Sequence, residues 1–475
     1  MPLILGTNSI KDTGYDVANS LRFNQPDNPY LTRTISSAGS TTTISISFWF
    51  KRAKLTDDLH LFSSNSFDEI KITGSDTLRI ESYTGGYNYR KITNRVFRDP
   101  SAWYHMLVVF DTSNSTADDR IRLYINGVRE TSFSTSQNPS QNYAISYFGT
   151  AHPFIIATDA RTLTGASNLD GYLSEVVGLD GSALDPTSFG EFDEDSAIWK
   201  PIKVSGLTFG TNGFYLNFEN SSELGTDVSG NSNTLSESGF TAVEQSIDTC
   251  TNNFTTLNRL YLSASSLNFT QGNLTNNGNS SNAWRSIYST IGLTSGKWYF
   301  EFRVNKIKSG DLGNMIVGIV SDDQVVHTAD NGKFFGTSRG YGYHGKDGKK
   351  LNNDTVTDNG GSYGDSFTTV GDIIGCAIDL DNHKIYWRKN GTYQNSGNPE
   401  SGATGTGSAF DLASGFTYLV AIATYYDDER YSFNFGSPPY SESGGNSDGN
   451  TYGNFAGSVP SGYFSINTKN LAEYG

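Results

Sequence analysis

The sequence holds only two cysteines, three methionines and six histidines in 475 residues, few charges, and no long apolar run. Each scarcity excludes something. Two cysteines, Cys250 and Cys376, cannot make a disulfide framework. Cys376 sits inside an apolar strand-like run and reads as a small buried hydrophobe. The chain is therefore expected to fold in a reducing cytoplasm. No apolar run approaches the roughly 18 residues of a membrane span, so membrane insertion is not expected. The opening MPLILG lacks a basic start and its apolar run is short, which predicts no secretory signal. Charged residues make up 17% of the chain, against about 25% in an average globular protein. Acidic residues outnumber basic ones 49 to 34, for a formal charge of −15. Phosphate binding needs clustered Lys and Arg, so nucleic acid is not an expected partner. The histidines are scattered, with no H-x-H or H-E-x-x-H, and neither cysteine has metal-site spacing, so zinc is not expected. Helix signals are nearly absent. Asp185-Pro186-Thr187, with Pro near the first helical position, predicts a turn or two running through Phe189 towards Trp199 and stopped by Pro201.

What is present points to an all-β fold. Aromatics are 13%, mostly Tyr and Phe, which suit strands. Gly is abundant at 51 residues, and stretches rich in Ser, Thr and Asn separate the apolar patches. In TISISFWFKR, Ile44, Ile46, Phe48 and Phe50 share one face, while Thr43, Ser45, Ser47 and Trp49 share the other. Trp103–Asp111 is apolar on both faces and predicts a central strand, with His105 as a structural residue inside it. In RIRLYINGV, Ile121, Leu123 and Ile125 oppose Arg122 and Tyr124, and Asn126-Gly127 predicts a type I′ hairpin turn. In the second half, Trp298, Phe300, Phe302 and Val304 share a face. The run DNHKIYWRKNGTY predicts a strand between two turns, with Ile385 and Trp387 facing the core and Tyr386 and Arg388 the other side.

SFWFK, WYHMLVVFD, IRLYINGV and LDGYLSEVVGLDGSALDP together resemble a laminin-G/concanavalin A-like lectin jelly roll over roughly residues 15 to 220. Gly296-Lys297-Trp298-Tyr299, Val317-Gly318-Ile319, Tyr341-Gly342-Tyr343, GDIIGCAIDLDNHKIYWRKNG and Phe433-Asn434-Phe435-Gly436 resemble, in that order, a SPRY domain without a PRY extension. MPLILGTNSI, FGEFDEDSAIWKPI, GFYLNFENSSELGTDVSGNSN and GYFSINTKNL resemble structural proteins of tailed phages of marine bacteria. The resemblances imply two antiparallel β-sandwiches with few short helices: a jelly roll over 1–240, a linker over 241–260 and a SPRY-like sandwich over 261–475.

Candidate chemistry is sparse. Gly336-Thr337-Ser338-Arg339-Gly340 fits G-x-S-x-G, but a glycine-rich run follows where a nucleophile elbow needs a helix. Glu191-Phe192-Asp193-Glu194-Asp195 offers carboxylates, as a glycosidase requires, without the strand that would align them. Asp227 to Asn233 (DVSGNSN) has oxygen ligands that calcium could take. Its simpler reading is a turn in which these side chains bond their own backbone. No cofactor is expected. Candidate contact residues are Tyr83, Tyr87 and Tyr89 around Gly85-Gly86, the loop holding Tyr341, Tyr343 and His344, and the loop holding Tyr425, Tyr426 and Asp427. The last two follow from the way SPRY domains use loops at one end of the sandwich, and recognition residues cluster on such loops.

The resemblances imply a non-enzymatic virion protein, made in the host cytoplasm and carried on the tail or capsid surface. A tail fibre or tail-associated adhesin would recognise host-surface polysaccharide. A capsid decoration protein would dock on other virion proteins, and a glycan depolymerase is the rival from another class. A homo-oligomer is expected on the particle.

Overall fold

The computed structural model describes residues 10–64, 68–149, 152–163, 165, 167–262, 267–279, 282–308, 313–326, 332–353 and 362–475. The opening MPLILGTNS, part of the phage-like resemblance, lies outside the described residues. The chain divides into two compact units, Thr13–Asn252, and Asn253–Gly475 with Met1–Asp12. Residues 241–260, read above as a linker, span that division. They hold a 3-10 turn, Ala242–Glu244, closed by a reciprocal capping box with Thr241, and the start of the strand Leu257–Leu262.

The first unit packs two eight-stranded sheets face to face. One runs Val128–Arg129, Ile121–Ile125, Trp103–Asp111, Thr43–Arg52, Gly171–Asp180, Ser20–Phe23 and Gln245–Ser246, with Phe214–Leu216 added to Gly171–Asp180. The other runs Phe133–Gln137, Tyr87–Val96, Thr77–Tyr83, Asp68–Ile72, Leu59–Ser64, Pro153–Ile156, Tyr30–Thr34 and Ser236–Ser238. Ile44, Ile46, Phe48 and Phe50 enter the shared core with Met106, Val108 and Phe110. The opposite face is also covered. Leu107 and Val109 pack with Val177, Leu179, Phe189 and Tyr215, beneath Leu184, Val204 and Leu207. That cover explains why Trp103–Asp111 is apolar on both sides. Asn126 and Gly127 both have positive φ, 48° and 77°, as a type I′ turn requires.

The helix expected from Asp185 towards Trp199 does not form. A single 3-10 turn, Pro186–Ser188, leads into a hairpin of Gly190–Phe192 and Trp199–Pro201. The reason is tertiary. The Trp199 ring stacks on buried His105 at 5.7 Å. A Cβ at Gly127 or Gly190 would lie 2.4 or 2.6 Å from that indole. The two glycines make the seat, and seating the ring holds the chain extended. His105 is fully buried, with Nε2 2.9 Å from the Ser47 hydroxyl, as a structural residue should be.

The second unit pairs a six-stranded sheet with a nine-stranded one. The first runs Leu257–Leu262, Arg285–Leu293, Tyr418–Thr424, Met315–Ser321, Gly340–His344 and Lys350–Leu351. The second is centred on Lys297–Lys306, Ile373–Asp379 and Lys384–Lys389. Trp298, Phe300, Phe302 and Val304 face the core with Ile385 and Trp387. Tyr299 and Tyr386 point the other way and are roofed by Phe455 and Tyr463. Asn390 and Gly391, at φ 47° and 86°, make the second tight reversal. Among the described residues the only α-helix is Thr468–Tyr474, capped by the Asn467 side chain. None of the described helices is long and apolar enough to cross a membrane.

Candidate glycan-contact surface

Period two puts charge on one face of three adjacent strands. Along Asp68–Ile72, Thr77–Tyr83 and Tyr87–Val96, the side chains of Ile70, Ile72, Leu78, Ile80 and Tyr89 enter the core. The alternate residues Glu69, Lys71, Arg79, Glu81 and Arg90 therefore share the outer face. Register aligns them: Glu69 opposes Glu81, Glu81 opposes Arg90, and Lys71 opposes Arg79. Two carboxylates face to face would repel. Here Lys71 Nζ lies 2.7 Å from Glu69 Oε2 and 3.6 Å from Glu81 Oε1, and Arg90 Nε lies 3.1 Å from Glu81 Oε2. Arg161 Nη2 reaches Glu69 Oε1 at 3.0 Å and Asp159 at 2.6 Å. Burial alone would raise the Glu69 pKa, but the His60 ring, 3.4 Å away, and the Lys71 ammonium hold it down at about 2. A carboxylate so held is the reverse of the raised one a glycosidase uses as its general acid. His60, Glu69 and Asp159 could bring three ligand atoms within 4.8 Å of one another. The Lys71 and Arg161 cations already occupy that cluster, so a metal ion would meet repulsion.

At the end of this ladder stand Tyr83 and Tyr87, 49% and 40% exposed. Their rings meet edge to face at 5.0 Å, and the Arg90 guanidinium lies 4.1 Å from the centre of the Tyr87 ring. Gly85, at φ 91°, closes the turn between them. Aromatic faces beside carboxylates and guanidinia suit a hydroxyl-rich ligand, which stacks through C–H faces and bonds through its hydroxyls. Tyr89 does not belong to this surface. It is wholly buried and donates its hydroxyl to Asp68 Oδ1 at 2.8 Å, because the bulge after Ser82 turns it inward. The charged ladder was not picked out from the sequence, although the alternation in DEIKI and TLRIES could have shown it.

In the second unit, Tyr341, Tyr343 and His344 do not form a loop. They lie on the strand Gly340–His344 and are buried. Tyr343 stacks on Trp387 at 5.6 Å and donates its hydroxyl to the Asp365 carbonyl. Tyr341 packs against Phe410 and Tyr418. His344 shares hydrogen bonds with Asp347 and Asn314, and burial lowers its pKa. The glycines that suggest a loop are there for close approach. A Cβ at Gly340 would lie 1.8 Å from the Phe334 carbonyl oxygen, and one at Gly342 2.5 Å from Ile316 Cγ2. Tyr425, Tyr426 and Asp427 do lie on a connection, between Tyr418–Thr424 and Arg430–Asn434. Its shape is set by buried Glu429, whose Oε2 accepts from Thr424 and from the Tyr425 and Tyr426 backbone N–H groups. Tyr426 lies under the Lys308 ammonium at 4.3 Å, and Asp427 is exposed.

The remaining sequence candidates hold no catalytic geometry. Lys200 Nζ sits 3.5 Å from Glu191 and 3.2 Å from Asp193. Hydrogen bonds from Ser196, then Lys200, keep Asp193 at a pKa of about 2. Ser338 bonds the Gln324 side chain. Asp227 spends its carboxylate on the backbone N–H groups of Tyr215, Ser229 and Asn233 and on the Ser229 hydroxyl, the self-bonded turn expected for that segment.

Comparison with known proteins agrees with the fold. Residues 26–185 match the concanavalin A-like lectin/glucanases superfamily, and residues 297–438 match the SPRY domain. The chain thus carries one domain of each kind. Over 151 residues it is 30% identical to the Ran-binding proteins 9/10 homolog of Drosophila melanogaster, covering 32% of this chain and 13% of that protein. Over 101 residues it is 32% identical to human Ran-binding protein 9, covering 21% of this chain and 12% of that one. The chain therefore spans only a small part of these relatives. Among solved structures, the SPRY domain of human HERC1 is 17% identical, covering 37% of this chain and 96% of its own, with a TM-score of 0.27. The SAP-like pentraxin of Limulus polyphemus is 18% identical, covering 36% and 79%, with a TM-score of 0.27.

Proposed function

We propose that this chain is a non-enzymatic adhesin of a tailed-phage virion. Its concanavalin A-like unit recognises a host-surface polysaccharide, and its SPRY unit docks on another virion protein. The observation that carries the glycan reading is the exposed Tyr83–Tyr87 pair at the head of the Glu69–Glu81–Arg90 ladder. The phage reading is supported by the likeness of FGEFDEDSAIWKPI and GYFSINTKNL to marine phage structural proteins. The net charge of −15 favours solubility and disfavours nucleic acid as a ligand. A homo-oligomer on the particle would multiply weak sugar contacts by avidity.

Retention of the purified chain on immobilised polysaccharides and on a glycan array tests the glycan reading. Binding is expected from the intact chain and not from a Tyr83→Ala/Tyr87→Ala variant. Labelling of purified virions with an antibody to the chain tests the location, and unlabelled particles would remove the phage reading. The second reading is capsid decoration through protein contacts alone, favoured by the Tyr425–Tyr426–Asp427 connection. It predicts capture of a virion protein with no glycan retained. Release of reducing ends from polysaccharide by the intact chain would establish a depolymerase instead.

A further inference from the structure

Beneath the outer ladder, on the opposite side of the same strand, Lys91 is 3% exposed. A lysine ammonium is rarely buried unless it is paired. Among the described residues Lys91 makes no ion pair within 4.0 Å and one hydrogen bond, from Nζ to the Ser136 hydroxyl at 3.0 Å. An ammonium carries three donors, so the hydroxyl leaves two of them unused. Burial pulls the Lys91 pKa down, with Asp118 pulling the other way. A contact with the Phe133 ring, 5.0 Å from Nζ, offsets part of that cost but uses none of the spare donors.

What surrounds it is a cavity of about 230 Å³. Its walls come from the last two strands at one end of each sheet: Lys91, Phe133 and Ser136 from one, Ile121 and Arg129 from the other, with Asp118 at the rim. The Phe133 ring lies 5.0 Å from Lys91 Nζ and is partly exposed. The other charges nearby are spoken for. Arg129 bonds Asp119 at 2.6 Å, and Glu130 bonds Arg95 at 2.8 Å and the Thr131 and Ser132 backbone. Asp118 gives one carboxylate oxygen to Asn138 at 2.6 Å. That leaves one cation with spare donors, one carboxylate oxygen, one hydroxyl and the partly exposed Phe133 ring. The charges balance, which suits a neutral ligand that both donates and accepts. The volume falls below the roughly 300–1,000 Å³ of drug-sized sites, which limits the occupant to a single ring.

We propose that this cavity is a subsite for one neutral pyranose residue, packed against the exposed part of Phe133, accepting from Lys91 and donating to Asp118. The inference rests on the glycan reading above and adds a second contact point on the other side of the strand from Tyr87.

Binding of methyl glycosides of glucose, galactose, mannose and N-acetylglucosamine to the full chain, followed by saturation-transfer NMR and titration, tests it. At least one is expected to bind. Lys91→Met, which keeps the stem and removes the charge, should weaken it roughly tenfold or more, the worth of hydrogen bonds to a charged group. Ser136→Ala is the milder variant, should Lys91→Met melt early. If the chain retains polysaccharide but binds no glycoside, or binds it equally as Lys91→Met, the subsite is wrong while the glycan reading stands. If neither polysaccharide nor glycoside binds, both are wrong. If inorganic phosphate binds in a Lys91-dependent way and no glycoside does, the cavity takes an anion and the proposal is overturned.

Discussion

The Arg388 guanidinium reaches the Glu301 carboxylate at 2.9 Å across an intervening strand, with both groups buried. Glu301 pairs with Gly375, and Gly375 with Arg388, so the glycine lies directly between them. A Cβ there would sit 2.6 Å from Arg388 Nε and 2.4 Å from the Tyr299 hydroxyl. The pair also fastens the chain that roofs this face. Glu301 accepts from the Ala456 and Gly457 backbone, and Arg388 donates to the Ser458 carbonyl.

Removing one partner of such a pair leaves an uncompensated buried charge. Glu301→Ala should cost about 3–5 kcal/mol of the second unit's stability, measured by urea unfolding. It should also expose residues 456–462 to limited proteolysis. A Glu301→Ala chain as stable as the parent would show that the roof is held by Phe455 and Tyr463 alone.

The tyrosines near Gly85-Gly86 should separate by role. Tyr83→Ala and Tyr87→Ala remove exposed rings and should change stability by less than about 0.5 kcal/mol while lowering polysaccharide retention. Tyr89→Phe should do the reverse. It strips the hydroxyl from buried Asp68, at a cost of about 1–3 kcal/mol, and leaves retention intact.

Glu175 makes the first unit's stability depend on pH in an unusual direction. It sits in the bulge of Gly171–Asp180 at φ 49° and accepts from the Tyr215 hydroxyl at 2.6 Å. Burial raises its pKa from 4.5 to about 7. The folded state therefore keeps a proton that the unfolded state releases, so this contribution is full below pH 4.5 and declines as pH rises to about 7. The loss is on the order of 3 kcal/mol. Burial lowers His105 from 6.5 to about 3, which removes stability as pH falls below 6.5. Glu175→Gln should abolish the loss between pH 4.5 and about 7 and leave the acid loss in place, read from melting temperature between pH 4 and 9. An unchanged profile would mean that Glu175 does not hold its proton.

Asp227 has no oxygen to spare for a cation. Millimolar calcium and EDTA should give the same melting temperature, whereas Asp227→Ala should lower it through the loss of four hydrogen bonds. A calcium-dependent rise that disappears in Asp227→Ala would make this turn a metal site.

The sequence by itself determined what local chemistry can determine. Alternation placed Ile44 to Phe50 and Trp298 to Val304 on core faces, because a pleated strand alternates its side chains whatever surrounds it. Asn126-Gly127 and Asn390-Gly391 determined their turns, since few residues accept two consecutive positive φ values. Tertiary structure decided what covers the other face of each strand, and contacts distant in sequence set that. The glycines beside Tyr341 and Tyr343 read as loop residues until the crowding of Phe334 and Ile316 shows why the strand needs them. Pro186 to Pro201 reads as a helix until the seat for Trp199 on Gly127 and His105 exists. Nothing local in the sequence marks Lys91. Only the approach of two sheet edges buries it without an ion pair and makes a cavity around it.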